Sequence, residues 1–451
     1  MTIRSTAISV CAVLIAFAVA GCTTIEPPGG RSASRTTQPA LPIAMDEQID
    51  APPLVWPARW GSRRTGSQGV TVALDGPLGD WAAGRIGPNG RLRADPIDEA
   101  QVLALADGRA RGPYGYRFEG PSSFVFLRPD QRMPERFQRE PSTPAGDEPD
   151  ELFAFVSASE AEEGPAFARD RIEIQRTWFA VYDADESKPV KGTVLFLPGL
   201  YGAPTGINDE IVGEANRDGW TVIRMLAPPS RFTQRRVIKV PDWDAIPAAG
   251  REAARVLDSR VAEIAYAAEA ALERVHARKN FLRAFPVAMY ASSGSALAGP
   301  AVATRLAGVI DAAVLVAGGA GLVSIAERSG FASMVDSVQF EWAGDPTEAL
   351  PDMVIAELER AYLRESSLDP YHAGAALYGV PTLMIHAAKD GVVPAGNGNL
   401  LWERLGRPER WSDPIGHTLI FLTLHTKTGR VLDWLDRKIA GRIAGVNEDR
   451  P

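Results

Sequence analysis

Cysteine is almost absent. The 451 residues contain two, Cys11 and Cys22, both at the start of the chain. This excludes a disulfide framework and a cysteine-built zinc site in the body of the protein. An excess of positive charge is missing as well: 48 Lys and Arg face 56 Asp and Glu, a net charge of -8. Without a basic footprint, nucleic acid is not an expected partner. Hydrophobic residues at 45% and charged residues at 23% are ordinary globular usage, which excludes collagen-like, mostly disordered and polytopic membrane chains. Histidine is also scarce, so any imidazole chemistry falls to five residues, His276, His372, His386, His417 and His425.

What is present begins with an address. Arg4 precedes an almost uninterrupted apolar run over residues 7–20, too short for an ordinary membrane-spanning helix and of the length of an export signal. The run ends at Val19-Ala20-Gly21-Cys22, which resembles the lipobox of bacterial lipoproteins. The resemblance implies a signal peptide over 1–21 and a lipid-anchored Cys22 as the first mature residue. Each buried CH₂ of its acyl chains would add about 0.8 kcal/mol of membrane affinity. The resemblance would place the protein in the bacterial cell envelope, and Thr23, standing where an aspartate would signal retention, would point to the outer membrane if the cell is Gram-negative. An ordinary cleaved signal with an unmodified cysteine is the alternative. Residues 22–53 are rich in Pro, Ser, Thr and Gly, a composition that reads as a flexible tether.

Residues 54–164 form an accessory region with short candidate strands at 70–74, 114–118, 124–127 and 152–156. Residues 129–150, dense in Pro, Arg, Glu and Asp, read as a solvated loop. No catalytic pattern appears there. From about 165 to 451 apolar strands alternate with amphipathic helices, the sign of a mostly parallel sheet covered on both faces. Strands are expected at 172–182, 194–197, 221–226, 286–290, 312–316 and 382–385, and helices at 209–218, 248–276, 351–364 and 419–443.

One strand runs into a cluster of small residues, Met289-Tyr290-Ala291-Ser292-Ser293-Gly294-Ser295-Ala296, and then into helix formers. A reactive serine on a tight strand-to-helix turn needs small residues two positions before and after it, because the backbone closes in from both sides. Ser293 meets the requirement with Ala291 and Ser295; Ser292 would face Tyr290, and Ser295 would face Leu297. Ser293 is the candidate nucleophile, with a plain Ser-rich turn as the alternative. Pro300, inside the following helix, removes a hydrogen bond to Ala296 and is expected to favour a kink.

The segment resembles the Gly-x-Ser-x-Gly nucleophile elbow of α/β-hydrolases, with both glycines replaced. That resemblance implies an α/β-hydrolase fold for 165–451 and a Ser, acid, His order along the chain. Asp390, in Ile385-His386-Ala387-Ala388-Lys389-Asp390-Gly391-Val392-Val393-Pro394, matches the acid-bearing loop after a late strand. His417, in Pro414-Ile415-Gly416-His417-Thr418, matches the histidine loop. Asp413 is the rival acid and His425, inside a helical stretch, the rival base. The oxyanion hole implied by the family takes the amide of Gly294 and that of Leu200, which follows Pro198-Gly199 after the strand at 194–197. No metal or organic cofactor is required. Residues 318–378 are long enough to hold a cap, where Phe331, Met334, Phe340 and Trp342 read mostly as core, with lining of an apolar acyl pocket as the alternative.

The expectation is a membrane-anchored serine hydrolase, carboxylesterase or lipase-like, acting through an acyl-enzyme on a small-molecule or lipid ester. A catalytically inactive hydrolase fold serving as an envelope binding or scaffold protein is the second reading, and a peptidase the third. Oligomeric state is not written in the sequence.

Overall fold

The apolar segments around 194, 288, 314 and 384 lack polar alternation, which is the pattern of strands buried on both faces. In the computed structural model they form the centre of a nine-stranded sheet. The structure describes residues 48–57, 110–111, 115–120, 123–127, 149–160, 172–200, 205–226, 234–330, 337–343 and 350–448. The segment 1–21 that reads as a signal peptide, Cys22, the candidate strand at 70–74, nearly all of the loop at 129–150, and Phe331 and Met334 lie outside these residues.

In chain order the strands are β1 (Ala110–Arg111), β2 (Gly115–Gly120), β3 (Ser123–Leu127), β4 (Glu151–Glu160), β5 (Ile172–Tyr182), β6 (Gly192–Leu197), β7 (Trp220–Met225), β8 (Arg236–Val240), β9 (Val287–Ser292), β10 (Ile310–Val316), β11 (Val338–Trp342), β12 (Thr382–Ala387) and β13 (Glu409–Asp413). The main sheet runs β1-β5-β7-β6-β9-β10-β12-β13, with β4 also paired to β5. From β7 to β13 every neighbouring pair is parallel, whereas β5 is antiparallel to both β4 and β7. β2 and β3 form a separate hairpin, and β8 pairs in parallel with β11.

The helices are α1 (Thr205–Arg217), α2 (Ile246–Arg278), α3 (Gly294–Arg305), α4 (Leu322–Arg328), α5 (Asp352–Leu363), α6 (Pro370–Ala373), α7 (Ala395–Arg404), α8 (His417–Leu422) and α9 (Thr428–Glu448). Alternate residues of each central strand feed two cores. Leu195, Met289, Leu315 and Met384 pack under α2, α3, α5 and α7. Val194, Tyr290, Val314 and Ile385 pack under α1, α8 and α9. This is the mostly parallel, doubly covered sheet of an α/β-hydrolase fold.

Two expected domain boundaries move. β4 was assigned to the accessory region, yet it pairs along its whole length with β5, from Glu151↔Val181 to Glu160↔Ile172, so the edge of the body lies upstream of 164. The tether was expected to continue to residue 53, yet residues 48–57 are fastened to the body. Ile49 and Trp56 are 5% and 2% exposed. The Ile49 amide donates to the Tyr371 hydroxyl at 3.2 Å, and the Tyr266 hydroxyl donates to the Pro57 carbonyl at 2.9 Å. Trp56 lies edge-on to Tyr266, and the Arg305 guanidinium, paired with Glu269, sits over both rings. This Pro-containing stretch docks because two large apolar side chains, Ile49 and Trp56, find a groove among the helices.

The single helix expected over 419–443 is three pieces: α8, a 3-10 turn at Leu424–Lys427, and α9. The hydroxyls of Thr423, Thr426 and Thr428 donate back to the carbonyls of Ile420, Thr423 and Leu424, competition of the kind that disrupts regular helix. Pro300, by contrast, does not end α3, which continues to Arg305. Within 318–378, α5 packs against α2 so closely that a Cβ on Gly250 would lie 2.6 Å from the Ala361 Cβ. Phe340 is buried in the same core with Trp342 against it. The described part of this segment therefore builds the helical layer.

Replacing Trp56 with Ala should cost about 3–5 kcal/mol, the range for deleting a buried large aromatic, while Val55→Ala, at a position 65% exposed, should be nearly neutral. Urea midpoints measure both; equal midpoints would place residues 48–57 outside the folded body. A second expectation concerns His386 on β12, held down to about 4 by burial and then by the nearby Arg410. An unfolded histidine titrates near ~6.5, so this group contributes stability above that pH and loses it as pH falls toward about 4. The stability advantage of the wild type over His386→Gln should shrink steadily from pH 7 to pH 4. A constant difference across that window would contradict the burial argument.

Candidate active site

The sheet has one place where strand order reverses. From β6 the chain first adds β7 on one side, then crosses to β9 and continues outward through β13. The crevice between β6 and β9, at the carboxyl ends of the strands, is where open α/β sheets bind ligands. The loops after β6, β9, β12 and β13 carry Leu200, Ser293, Asp390 and His417.

Ser293 follows β9 and immediately precedes α3, with φ 50° and ψ -122°. An L-residue held there is strained by about 1–3 kcal/mol, and the surroundings over-determine it. The Ser293 amide donates to the Val316 carbonyl at 2.8 Å, tying the bend to the end of β10. Both small-residue positions are filled as the sequence requires: Ala291 and Ser295 are fully buried. Further along α3, a Cβ on Gly299 would lie 3.0 Å from Leu315 Cδ2, so the helix packs closely on β10.

His417 is the first residue of α8 and Asp390 sits three residues past β12. Their loops prolong the β12–β13 pairing, with the Ala388 amide donating to the Asp413 carbonyl at 2.8 Å and the Lys389 amide to the Ile415 carbonyl at 3.1 Å. The Asp390 carboxylate divides its work. Oδ1 accepts the amides of Val392 and Val393 at 2.8 and 2.9 Å, and Oδ2 lies 2.7 Å from His417 Nδ1. On the other side of the imidazole, Nε2 lies 2.9 Å from Ser293 Oγ. A carboxylate only accepts, so Nδ1 carries the proton and neutral Nε2 is left to accept from the serine hydroxyl. The ring of Phe421 packs 5.0 Å from the imidazole, one turn along α8. Asp390 and His417 are each 8% exposed and Ser293 is half-buried, so the pair is more shielded than the serine.

The rivals are placed elsewhere. Asp413 reaches Lys427 at 3.2 Å, and His425 lies in the 3-10 turn after α8. His372 has Nε2 at 2.9 Å from the Leu363 carbonyl, His276 sits in the last turn of α2, and His386 is inside β12.

Gly294 opens α3, and the first intrahelical bond from its end runs from Leu297 to the Ser293 carbonyl. The amides of Gly294, Ser295 and Ala296 have no acceptor within the helix, which makes this a positive terminus suited to a developing anion. Leu200 is three residues beyond Leu197 and Gly294 three beyond Ala291, and Leu197 pairs with Ala291. The two candidate donors therefore stand at the same end of adjacent strands; residues 201–204 lie outside the described part.

The amides of Val392 and Val393, and the ring of Phe421, were not singled out from sequence. Asp390-Gly391-Val392-Val393 carries a usable signal, since an aspartate at a turn accepts from backbone two residues on. No group of His, Cys, Asp or Glu among the described residues is arranged to hold a metal ion.

No family model matches the chain, and no curated protein does. Among solved structures it is similar to a cold-adapted esterase from an Arctic intertidal metagenomic library, with 14% identity over 64% of this chain and 94% of that one, at a TM-score of 0.36. It is similar to Est1E from Butyrivibrio proteoclasticus, with 11% identity over 59% and 95%, at 0.37. It is also similar to an acylaminoacyl peptidase of Pyrococcus horikoshii, with 12% identity over 54% and 36%, at 0.34. At this level of overlap the fold is identified by the chain's own strand order and strand-to-helix bend, and by these the chain has the α/β-hydrolase fold.

Proposed function

We propose that the protein is a serine hydrolase that cleaves carboxylic esters through an acyl-enzyme. The observation that carries the reading is the unbroken path Ser293 Oγ, His417 Nε2, His417 Nδ1, Asp390 Oδ2, with heavy-atom separations of 2.9 and 2.7 Å across its two gaps. Both are hydrogen-bond distances, and with the proton on Nδ1 the Nε2 lone pair faces the serine hydroxyl as nucleophilic catalysis needs.

In this reading the Ser293 hydroxyl adds to the ester carbonyl carbon as His417 Nε2 takes its proton. The carbonyl oxygen becomes an oxyanion facing the amides of Gly294 and Leu200; losing one such donor typically costs about 3–4 kcal/mol in the transition state. Collapse breaks the ester C–O bond, the alcohol leaves with the proton from His417, and the acyl group stays on Ser293. Water then repeats the sequence, giving up a proton to His417 and releasing the acid and free serine. Asp390 keeps the imidazole oriented and stabilises its cationic form. Thioesters and amides suit the same geometry; the ester assignment follows the family resemblance. The substrate is a small-molecule or lipid ester, and the protein is held at the cell envelope through acylated Cys22, at the outer membrane if the cell is Gram-negative.

Ser293→Ala and His417→Ala should each lower ester hydrolysis by at least about a thousandfold with the fold intact by circular dichroism, since members of a triad act as a unit. His425→Ala should retain activity. Hydrolysis that survives His417→Ala and disappears in His425→Ala would transfer the base to the wrong-looking residue and refute the assignment. A parallel panel of peptides separates esterase from peptidase, and a folded wild type inert toward both is the inactive scaffold. For the anchor, Cys22→Ser should move the protein from the membrane fraction to the soluble one; unchanged membrane association would reject acylation as its cause.

A further inference from the structure

Between β10 and α4 runs a segment with almost no side chains, Ala317-Gly318-Gly319-Ala320-Gly321, and all of it is buried. Gly321 has a backbone reason to be glycine, with φ 83°. Gly318 and Gly319 do not, because neither has positive φ; their missing side chains answer a need for space. A Cβ on Gly318 would lie 3.0 Å from the Ala296 Cβ and 3.3 Å from Leu401 Cδ2. A Cβ on Gly319 would lie 2.7 Å from Val393 Cγ1 and 3.2 Å from the Asn397 Cβ.

Two of these neighbours, Ala296 and Val393, adjoin different parts of the site. Ala296 is in the first turn of α3, directly after the nucleophile bend. Val393 donates its amide to Asp390 Oδ1 at 2.9 Å. The segment is fixed on both sides: the residue before it, Val316, accepts the Ser293 amide, and Ala317, itself at φ 50°, donates to the Ile385 carbonyl at 2.9 Å. Ala320 is stapled to Asn397 in both directions. Its amide donates to the Asn397 carbonyl at 3.1 Å and its carbonyl accepts Asn397 Nδ2 at 2.8 Å. Asn397 is 5% exposed, so the staple is protected from water.

We infer that this segment is a spacer whose thickness sets the separation between the serine bend and the acid turn, with Gly319 and Asn397 as positioning residues for the hydrolysis. The inference rests on the serine hydrolase reading. A methyl at 319 pushes on Val393, and Val393 carries one of the two amides that orient the Asp390 carboxylate. Because packed interiors relax only partly around an added methyl, the displacement passes to Asp390 and through it to His417.

The test is Gly319→Ala assayed against a soluble p-nitrophenyl ester, alongside the double variant Gly319→Ala with Val393→Ala, and Asn397→Ala. A displacement of about 1 Å at a catalytic group costs on the order of a hundredfold, so kcat should fall at least about thirtyfold in Gly319→Ala with KM within about twofold. Removing the Val393 methyls makes room, and the double variant should recover at least about tenfold of that loss. Asn397→Ala, which removes the side-chain half of the staple without adding volume and keeps the backbone half, should lower kcat with KM little changed and decides the matter if Gly319→Ala does not fold. Unchanged kcat in folded Gly319→Ala, a loss not relieved by Val393→Ala, or unchanged kcat in Asn397→Ala would each overturn the spacer. If the folded wild type neither hydrolyses esters nor reacts with a fluorophosphonate, the serine hydrolase reading itself fails; if it does both, a negative result in the variants falls on the spacer alone.

Discussion

The site depends on how Asp390 divides its two oxygens. Oδ1 is taken by two backbone amides of its own turn, which leaves Oδ2 free for His417 Nδ1 and for little else. A carboxylate held this way has one orientation, and the imidazole it holds has one tautomer. From that follows the lone pair on Nε2, aimed at Ser293 Oγ. Were the carboxylate free to rotate, the imidazole could present either nitrogen and the serine would lose its proton acceptor. The pairing of Ala388 with Asp413 and of Lys389 with Ile415 extends the β12–β13 ladder into the loops themselves, so the acid and the base are placed by sheet geometry.

The serine is placed by a different device. Its backbone is strained at φ 50°, and the strain is held because β9 is central, flanked by β6 and β10, and buried along its whole length. The same bend starts α3, so the hydroxyl projects where the helix presents amides without acceptors. In the proposed reading the nucleophile and one of the two anion-stabilising donors, Gly294, thus come from one turn of chain, the second donor, Leu200, from the loop after the adjacent strand, and acid and base from one pair of strands. The side-chain-free segment after β10 lies between these two assemblies, touching Ala296 on one side and Val393 with Asn397 on the other. It is the natural place for their spacing to be set.

Much of this was legible in the residues. The small-residue requirement selected Ser293 among three candidates because the bend leaves no room for Tyr290 or Leu297 beside a reactive serine. Continuous apolar strands marked the doubly covered sheet because both of their faces are buried. What escaped were contacts between distant segments that no local pattern encodes. Residues 22–53 have linker composition as a whole, yet Ile49 at their end and Trp56 just beyond bury themselves against helices more than 200 residues further on, as the 209-residue separation of Pro57 and Tyr266 illustrates. β4 looked like part of an accessory region because its partner β5 lies beyond a further stretch of chain. The carboxyl-terminal helix looked continuous because apolar periodicity continues across the threonines whose hydroxyls interrupt it.

The most direct test of the central claim is to treat the folded protein with a fluorophosphonate and locate the adduct by peptide mass mapping. The account predicts a single covalent modification on Ser293, absent when His417 is replaced by alanine. A modification at another serine, or none on protein shown to be folded, would contradict it.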